Sequence, residues 1–393
     1  MICMRKYQHL LFLSAIQTPV KLLVKNNYLS VIFFLLLPFC SVSQSSSEFN
    51  RLTRKAQVMK FRVEYDSSLY YYQNLKDLIS TTGDDRLEIM NRIDLADIYV
   101  LRREYENAKT ELSLASAEIA SIFPDDGYLL TELWQVKGSL LLAEEQLDSA
   151  KQYFFDAIRI KTSLFGQTDT SLHYAYNKLG NLYLLQSLYD SAVFCHQFAL
   201  KLSLLKLDTV NFLSASSYQN LGIAAHRKGD YKLAELCYTK SLEFKEKLFD
   251  ENDQALAKIY GNLGKFFFDL SNYEMALYYY DKSEKSLLTR YDRNDILFAH
   301  LYWNKGNVYT QQGDYFKATT YLSKAYSIFI NHFGQNNQDV SKLSLDFGFA
   351  YEKKGDFYSA IEYYRKAAAN KSDAGIIKIY RNLGNIYQKI NEA

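Results

Sequence analysis

The chain of 393 residues is poor in proline, with only Pro19, Pro38 and Pro124. Proline breaks helix interiors and sheet ladders alike, so its scarcity leaves long stretches free to run as uninterrupted helix. No Gly/Ser/Pro-rich linker interrupts residues 87–393, which argues against a second globular domain there. Signatures of catalysis and of metal or nucleotide binding are also missing: there is no GxSxG, HExxH, CxxC pair, P-loop or glycine-rich dinucleotide turn. The expectation is a non-enzymatic chain with no metal and no cofactor.

Acidic residues are absent from residues 1–47, while Arg5, Lys6, Lys21 and Lys25 precede the apolar run LSVIFFLLLPFC at 29–40. The run is shorter than the ~20 residues of a membrane-spanning helix, and the small residues Ser41 and Ser43 follow it. Residues 1–43 therefore read as a signal peptide cleaved between Ser43 and Gln44, and the protein as exported, periplasmic or extracellular, with no membrane span in the mature chain. A second apolar patch, residues 10–16, keeps a membrane anchor as the alternative; a start annotated upstream of the real one accounts for it equally well. Cys40 does not suit lipid attachment, because Leu37, Pro38 and Phe39 lack the small residues such a site needs. Loss of the leader removes four of 46 basic residues and none of 44 acidic ones, leaving a net charge of −2. Such a balance attracts neither nucleic acid nor anionic lipid.

What is present is a period. Ala108, Ala150, Ala192, Ala234, Ala276, Ala318 and Ala360 stand 42 residues apart, beside a second ladder of Ala96, Gly138, Gly180, Gly222, Gly264, Gly306 and Gly348. A fixed period of roughly 20 to 50 residues marks a solenoid, in which each unit buries its apolar face against its neighbours. Two helices fit each period. Tyr218, Leu221 and Ala225 follow helical spacing in the first; Gly229-Asp230, Gly313-Asp314 and Gly355-Asp356 mark the break; a second helix follows, such as 315–332, closed by Gly334. A glycine inside a helix costs ~1 kcal/mol against alanine, so its recurrence marks places where a larger side chain does not fit.

Trp134, Gly138, Ala150, Phe154 and Ala157 carry a pattern that resembles the tetratricopeptide repeat, and the 42-residue length resembles the longer units of the kinesin light chain type. The resemblance covers 87–393 and implies an all-α, right-handed superhelical solenoid of antiparallel helix pairs: seven units and a terminal half-unit. Ala96 departs from the glycine column, His196 from an aromatic position, and Lys137 and Lys305 from leucine positions. Residues 44–86 read as a degenerate capping repeat, with 65–75 as its second helix. At the other end, Gly384 comes only 36 residues after Gly348, and the chain stops after one helix, 376–389. Leu383, Ile386 and Tyr387 are expected to face nothing, which favours a fragment of a longer product over a solitary capping helix.

The cysteines left after cleavage, Cys195 and Cys237, are also 42 apart. Equivalent positions of stacked helices lie about 8–10 Å apart, beyond disulfide reach, so free buried thiols are expected. Among the dispersed histidines, His173 and His196 are too far apart in the unit for a metal pair, whereas His226 and His300 fall at offsets facing the inner surface.

Binding is assigned to the concave face, lined by the first helix of each unit. By analogy with the repeat family, one inward column holds Asn220, Asn262, Asn304 and Asn382, and another Asn181, Asn307 and Asn385. Asparagine offers donors and an acceptor, so such columns can pair with the backbone of an extended peptide whatever its sequence. Early inner positions carry Asp94 and Asp97; later ones carry Arg227, Lys258, Lys265, Lys342, Lys353, Lys378 and Arg381, which favours acidic side chains or a free carboxylate. The function read from the sequence is a protein–protein interaction scaffold or sensor arm. The alternative is the regulatory part of a larger enzyme, because exported arrays resembling this one are commonly followed by a caspase-like CHAT peptidase, a histidine kinase or a DNA-binding output domain. Mass spectrometry of protein exported by a bacterial host should find Gln44 at the N-terminus; a soluble product retaining Met1 refutes the signal peptide.

Overall fold

The structure, a computed structural model, describes residues 44–80, 82–205, 211–250, 252–335, 337–369 and 373–391. The leader up to Ser43 lies outside the described residues. These form seventeen α-helices and no strand. The helices pair as α1 (Gln44–Phe61) with α2 (Tyr65–Ser80), α3 (Asp85–Arg102) with α4 (Tyr105–Ile122), α5 (Gly127–Ala143) with α6 (Leu147–Phe165), and α7 (Leu172–Leu185) with α8 (Tyr189–Leu205). Then come α9 (Phe212–Lys228) with α10 (Tyr231–Leu248), α11 (Ala257–Asp269) with α12 (Tyr273–Leu288), α13 (Ile296–Gln312) with α14 (Tyr315–Phe333), α15 (Gln338–Lys354) with α16 (Phe357–Ala368), and α17 (Asp373–Asn391) alone. A short 3-10 turn, Gln254–Leu256, leads into α11. The leading unit, whose second helix was expected at 65–75, is a full pair, α1 and α2.

The turn inside each pair repeats with the period. Arg103, Glu145, Ser187, Gly229, Ser271, Gly313 and Gly355 all have positive φ, between 58° and 87°, and lie 42 apart. The next residue's N–H bonds back five residues, as from Asp230 to Ala225 O at 2.9 Å and from Gln146 to Leu141 O at 2.8 Å, a Schellman closure. Where glycine supplies the left-handed residue, Asp230, Asp314 and Asp356 cap the next helix through their carboxylates. The four turns without glycine keep the same backbone at a steric cost of about 1–2 kcal/mol each.

The glycine column has one partner, always sixteen residues on. A Cβ at Gly138 would sit 2.7 Å from Phe154, at Gly180 2.6 Å from His196, at Gly222 2.7 Å from Tyr238, at Gly264 2.5 Å from Tyr280, at Gly306 2.7 Å from Leu322, and at Gly348 2.6 Å from Tyr364. The side chain of the second helix lies flat on the bare backbone of the first, which brings the two helices together. All seven alanines of the other ladder are 0% exposed. The apolar core is accordingly a row of clusters passed from pair to pair, as a linear array requires.

Lys305, at a leucine position, is buried beside Asp281 (2.7 Å) and Glu284 (2.5 Å). Lys137 bonds Ser116 Oγ at 3.2 Å. Cys195 and Cys237 are buried and unlinked, and burial pushes both thiols up to about 12. One expectation fails at the end of the array. Leu383 and Ile386 do not face empty space; with Ile379 they are buried in a cluster with Ile361 and Tyr364 of α16, while Tyr380 and Tyr387 stay exposed. The helix turns the apolar face of its 3.6-residue repeat onto α16, so only its outer side is uncovered.

Gly264→Ala should destabilise the protein by about 1–3 kcal/mol, because the methyl group strikes the Tyr280 ring. Gly384→Ala, where nothing lies within 4 Å, should not destabilise it. Urea unfolding of the two variants checks this; equal effects would mean the ring contact does not set the helix spacing.

Candidate interaction groove

First helices of successive pairs pack on one another (α3 on α5, α5 on α7, α7 on α9, α9 on α11, α11 on α13, α13 on α15), whereas no second helix packs closely on the next second helix. The first helices therefore line the inside of the curve. Inner positions fall six and two residues before the small residue, and one after it.

In the early half these positions are filled by the protein's own side chains. Asp97 of α3 pairs with Lys60 of α1 and accepts a hydrogen bond from the Tyr174 hydroxyl of α7 at 2.8 Å. Burial alone would raise the Asp97 carboxyl, but Lys60, Lys178 and the two hydrogen bonds outweigh it and hold it at about 2. Burial lifts neighbouring Asp94 to about 7 against the pull of Lys60, and Asp97's charge adds to the rise.

The turn between α1 and α2 reaches much further round the superhelix. Phe61 stacks on Phe212 at 5.3 Å, Arg62 lies over Phe249 at 5.7 Å and 3.5 Å from Asp253, and Arg290 pairs with Glu64 and donates to Ser67 Oγ at 3.3 Å. The N-terminal pair is a clasp against the start of α9 and the loops before α11 and α13. Sequence reasoning missed it, because contacts between residues so distant leave no period.

The predicted columns divide in the later half. Asn220 donates to Asn177 Oδ1 of α7 at 3.4 Å, Asn307 donates to Asp346 of α15 at 3.1 Å, and Asn382 shares a hydrogen bond with Tyr364. These asparagines tie helices of the array to each other. Trp303 also donates to Asp346, which occupies the asparagine column in its own unit. Asn181 and Asn304 are half-buried, Asn262 is half-buried with Nδ2 unpartnered, and Asn385 is exposed. Lys265 is taken up by Asp269 at 2.6 Å and lies over Phe268, whereas Lys342 is exposed with Asp339 at 3.2 Å. Lys378 and Arg381 are exposed on α17.

Lys258 touches solvent yet is walled by protein on the inside of the curve, and the lost water lowers its pKa. Beside it Lys245 reaches from α10 to Gln219 Oε1 (2.7 Å) and the Ala255 carbonyl (3.3 Å); burial, with Lys258 adding like charge, pulls its ammonium down to about 7. Gln254, one turn before Lys258, is 8% exposed and neither amide atom has a partner. The repeat offsets gave no sign of Lys245, which comes from a second helix.

The histidines meet neighbours that repeat offsets do not show. His173 and His196, too far apart by repeat offset for a pair, share Asn177: its Nδ2 lies 2.9 Å from His173 Nε2 and its Oδ1 3.0 Å from His196 Nδ1, with Ser217 Oγ at 2.7 Å from His173. The network is buried, no metal-binding cluster occurs among the described residues, and His196 Nε2 has no partner. His226 does not line the open groove; it packs among Tyr231, Tyr238 and Phe266 and meets Asp269 at 3.1 Å. His300 sits against Trp303 and Phe329, its pKa lowered by burial.

A family model described as tetratricopeptide repeat matches residues 169–247, 213–288 and 297–373, together half of the chain. No curated protein matches it. Among solved structures, the chain is similar to the APC/C hetero-tetramer Cut9-Hcn1 (16% identity, TM-score 0.63), with 86% of this chain and 56% of that one covered. It is also similar to a Rap protein complexed with Competence and Sporulation Factor (13% identity, TM-score 0.59, 89% of this chain and 99% of that one). A putative kinesin light chain from Podosopora anserina with nearly identical TPR-like repeats is similar over 53% of this chain and 98% of its own (13% identity, TM-score 0.43). The chain spans just over half the length of the Cut9-Hcn1 chain it matches.

Burial, with His173 beside it, pulls His196 from the ordinary 6.5 to about 3, so the folded protein keeps it neutral where the unfolded chain takes up a proton. Its contribution is complete above pH 6.5 and is lost as pH falls towards 3. His196→Phe, which installs the ring of Phe154, should therefore gain on the wild type as pH drops, by about 2 kcal/mol more at pH 5 than at pH 7. Urea unfolding at the two pH values measures this; a difference independent of pH refutes it.

Proposed function

Because the chain belongs to the tetratricopeptide-repeat family, we propose that it is an interaction scaffold that holds an extended segment of a partner protein along the inner face of α11, α13, α15 and α17. The observation that carries this reading is the contrast between the two halves of that face. Around α3 and α7 the inner positions are satisfied internally by Lys60, Asp97 and Tyr174. From α11 onward Lys258, Lys342, Lys378 and Arg381 are exposed, and Asn262 and Asn304 are half-buried. Such donors suit a peptide backbone and acidic groups, since an asparagine bonds both N–H and C=O of an extended strand. The Rap protein complexed with Competence and Sporulation Factor has a similar fold, which supports a ligand-holding array without identifying the ligand. Basic residues at the groove favour an acidic partner, and a mature net charge of −2 gives nucleic acid no general attraction. The basic, apolar N-terminal segment supports an exported scaffold acting in the periplasm or outside the cell.

Each neutral hydrogen bond contributes only ~0.5–1.5 kcal/mol net, so the asparagines act together. Asn262→Ala with Asn304→Ala should weaken peptide binding by about 1–3 kcal/mol at unchanged helix content. Lys342→Glu with Arg381→Glu should penalise acidic peptides most, with the difference shrinking at high salt. Binding on a peptide array that ignores all four changes, or prefers basic peptides, would sink the assignment.

A further inference from the structure

The enclosed lysines of this array provide a comparison within one molecule. Lys60 pairs with Asp97, Lys305 with Asp281 and Glu284, and Lys161 with Glu132 at 2.6 Å. Among the described residues no carboxylate pairs with Lys245: its ammonium meets an amide oxygen and a backbone carbonyl. Lys161 and Lys245 occupy one place in the repeat, two units apart, and the likeness extends to the carbonyl each bonds, Ser171 O at 3.2 Å and Ala255 O at 3.3 Å. The same displacement carries Glu132 onto Ser216. The later unit thus keeps the lysine and the carbonyl and has a short hydroxyl where the earlier one has its acid.

Three further features set the place apart. Lys258, a second cation, lies close enough to lower the Lys245 pKa by repulsion, and no acid among the described residues offsets it. Gln254, nine-tenths buried, has an amide with neither atom bonded. Lys258 and Asn262, four residues apart on α11, are part of the groove already described, so the site opens onto it.

We propose that Lys245 and Lys258 receive a carboxylate of the partner segment, from an acidic side chain or a C-terminus, standing where Glu132 stands beside Lys161. This deepens the reading of the inner face as the binding surface and rests on it. One charge-assisted contact at a defined depth would fix where along the groove the segment stops, which asparagines bonding any backbone cannot do. The serine leaves room for the incoming acid, and the enclosure strengthens its attraction to both ammonium groups.

The test follows the Lys245 side chain by NMR in the full mature chain, with three probes: acetyl-Ala-Ala as free acid, the same dipeptide as C-terminal amide, and acetyl-Glu amide. The free acid or acetyl-Glu amide should raise the Lys245 titration midpoint and the uncharged amide should not; whichever works tells a C-terminus from a side chain. Ser216→Glu should raise that midpoint without ligand, raise the melting temperature, and weaken the effective probe at least tenfold. Lys245→Met should abolish the probe's effect on the melting temperature at unchanged helix content, and decides the matter if Ser216→Glu does not fold. A Lys245 midpoint unmoved by both acids, an affinity indifferent to both substitutions, or a site that takes inorganic phosphate in preference to carboxylate overturns the proposal. Groove peptides that depend on Asn262 and Asn304 but ignore Ser216→Glu would defeat this site and leave the groove standing. A carboxylate bound at Lys245 with no peptide affinity would do the reverse.

Discussion

The contact on which the architecture depends is a side chain lying on a bare helix backbone. In six successive pairs a glycine of the first helix receives the residue sixteen positions later, which is Phe or Tyr in four of them and His196 or Leu322 in the other two. A single methyl group would intrude there, so the spacing within a pair is set by an absence. Once that spacing repeats every 42 residues, the rotation from pair to pair is repeated too, and curvature follows. The inner wall then belongs to the first helices, which explains why charged and amide side chains gather there while second helices carry the rings that close each pair.

The same curvature divides the inner face. Near α3 and α7 it is tight enough for the Tyr174 hydroxyl to reach Asp97 across an intervening pair, and α1 adds Lys60. Charges there are matched within the protein, so little is left to offer a partner. Further along, cations outnumber their acids at Lys258, Lys342, Lys378 and Arg381, and Lys245 is enclosed with neutral partners only. Enclosed charge without a counter-charge is costly, and at Lys245 a second cation, Lys258, adds to that cost.

Much of the fold was legible because it is periodic. The Gly-Asp turns, both small-residue ladders, the unlinked cysteines and the placement of second helices all follow from offsets readable in one dimension. Non-periodic features were not legible. The clasp joins Phe61 to Phe212 and Glu64 to Arg290, and no repeat rule connects those numbers. The asparagine columns could be located, yet whether each amide is spent inside the array depends on one neighbouring residue: Asp346 engages Asn307, and Asn177 engages Asn220. His173 and His196 look unrelated by offset and are joined only through the side chain of Asn177. Leu383 and Ile386 lack a second helix of their own unit but lie on the face that α16 covers, a contact with the preceding unit that the missing partner conceals.

The clasp also changes what kind of mechanical object the array is. A solenoid whose units touch only their neighbours stretches like a spring, each interface yielding a little. Here the turn at residues 61–67 is fastened to residues 212, 249, 253 and 290, so the first pairs form a buckled loop. Pulling on its two ends loads the stacked rings and ion pairs of the buckle before it loads any helix interface. Compliance is therefore uneven along the chain, stiff up to α13 and springy through α15 and α17, where the groove stands open.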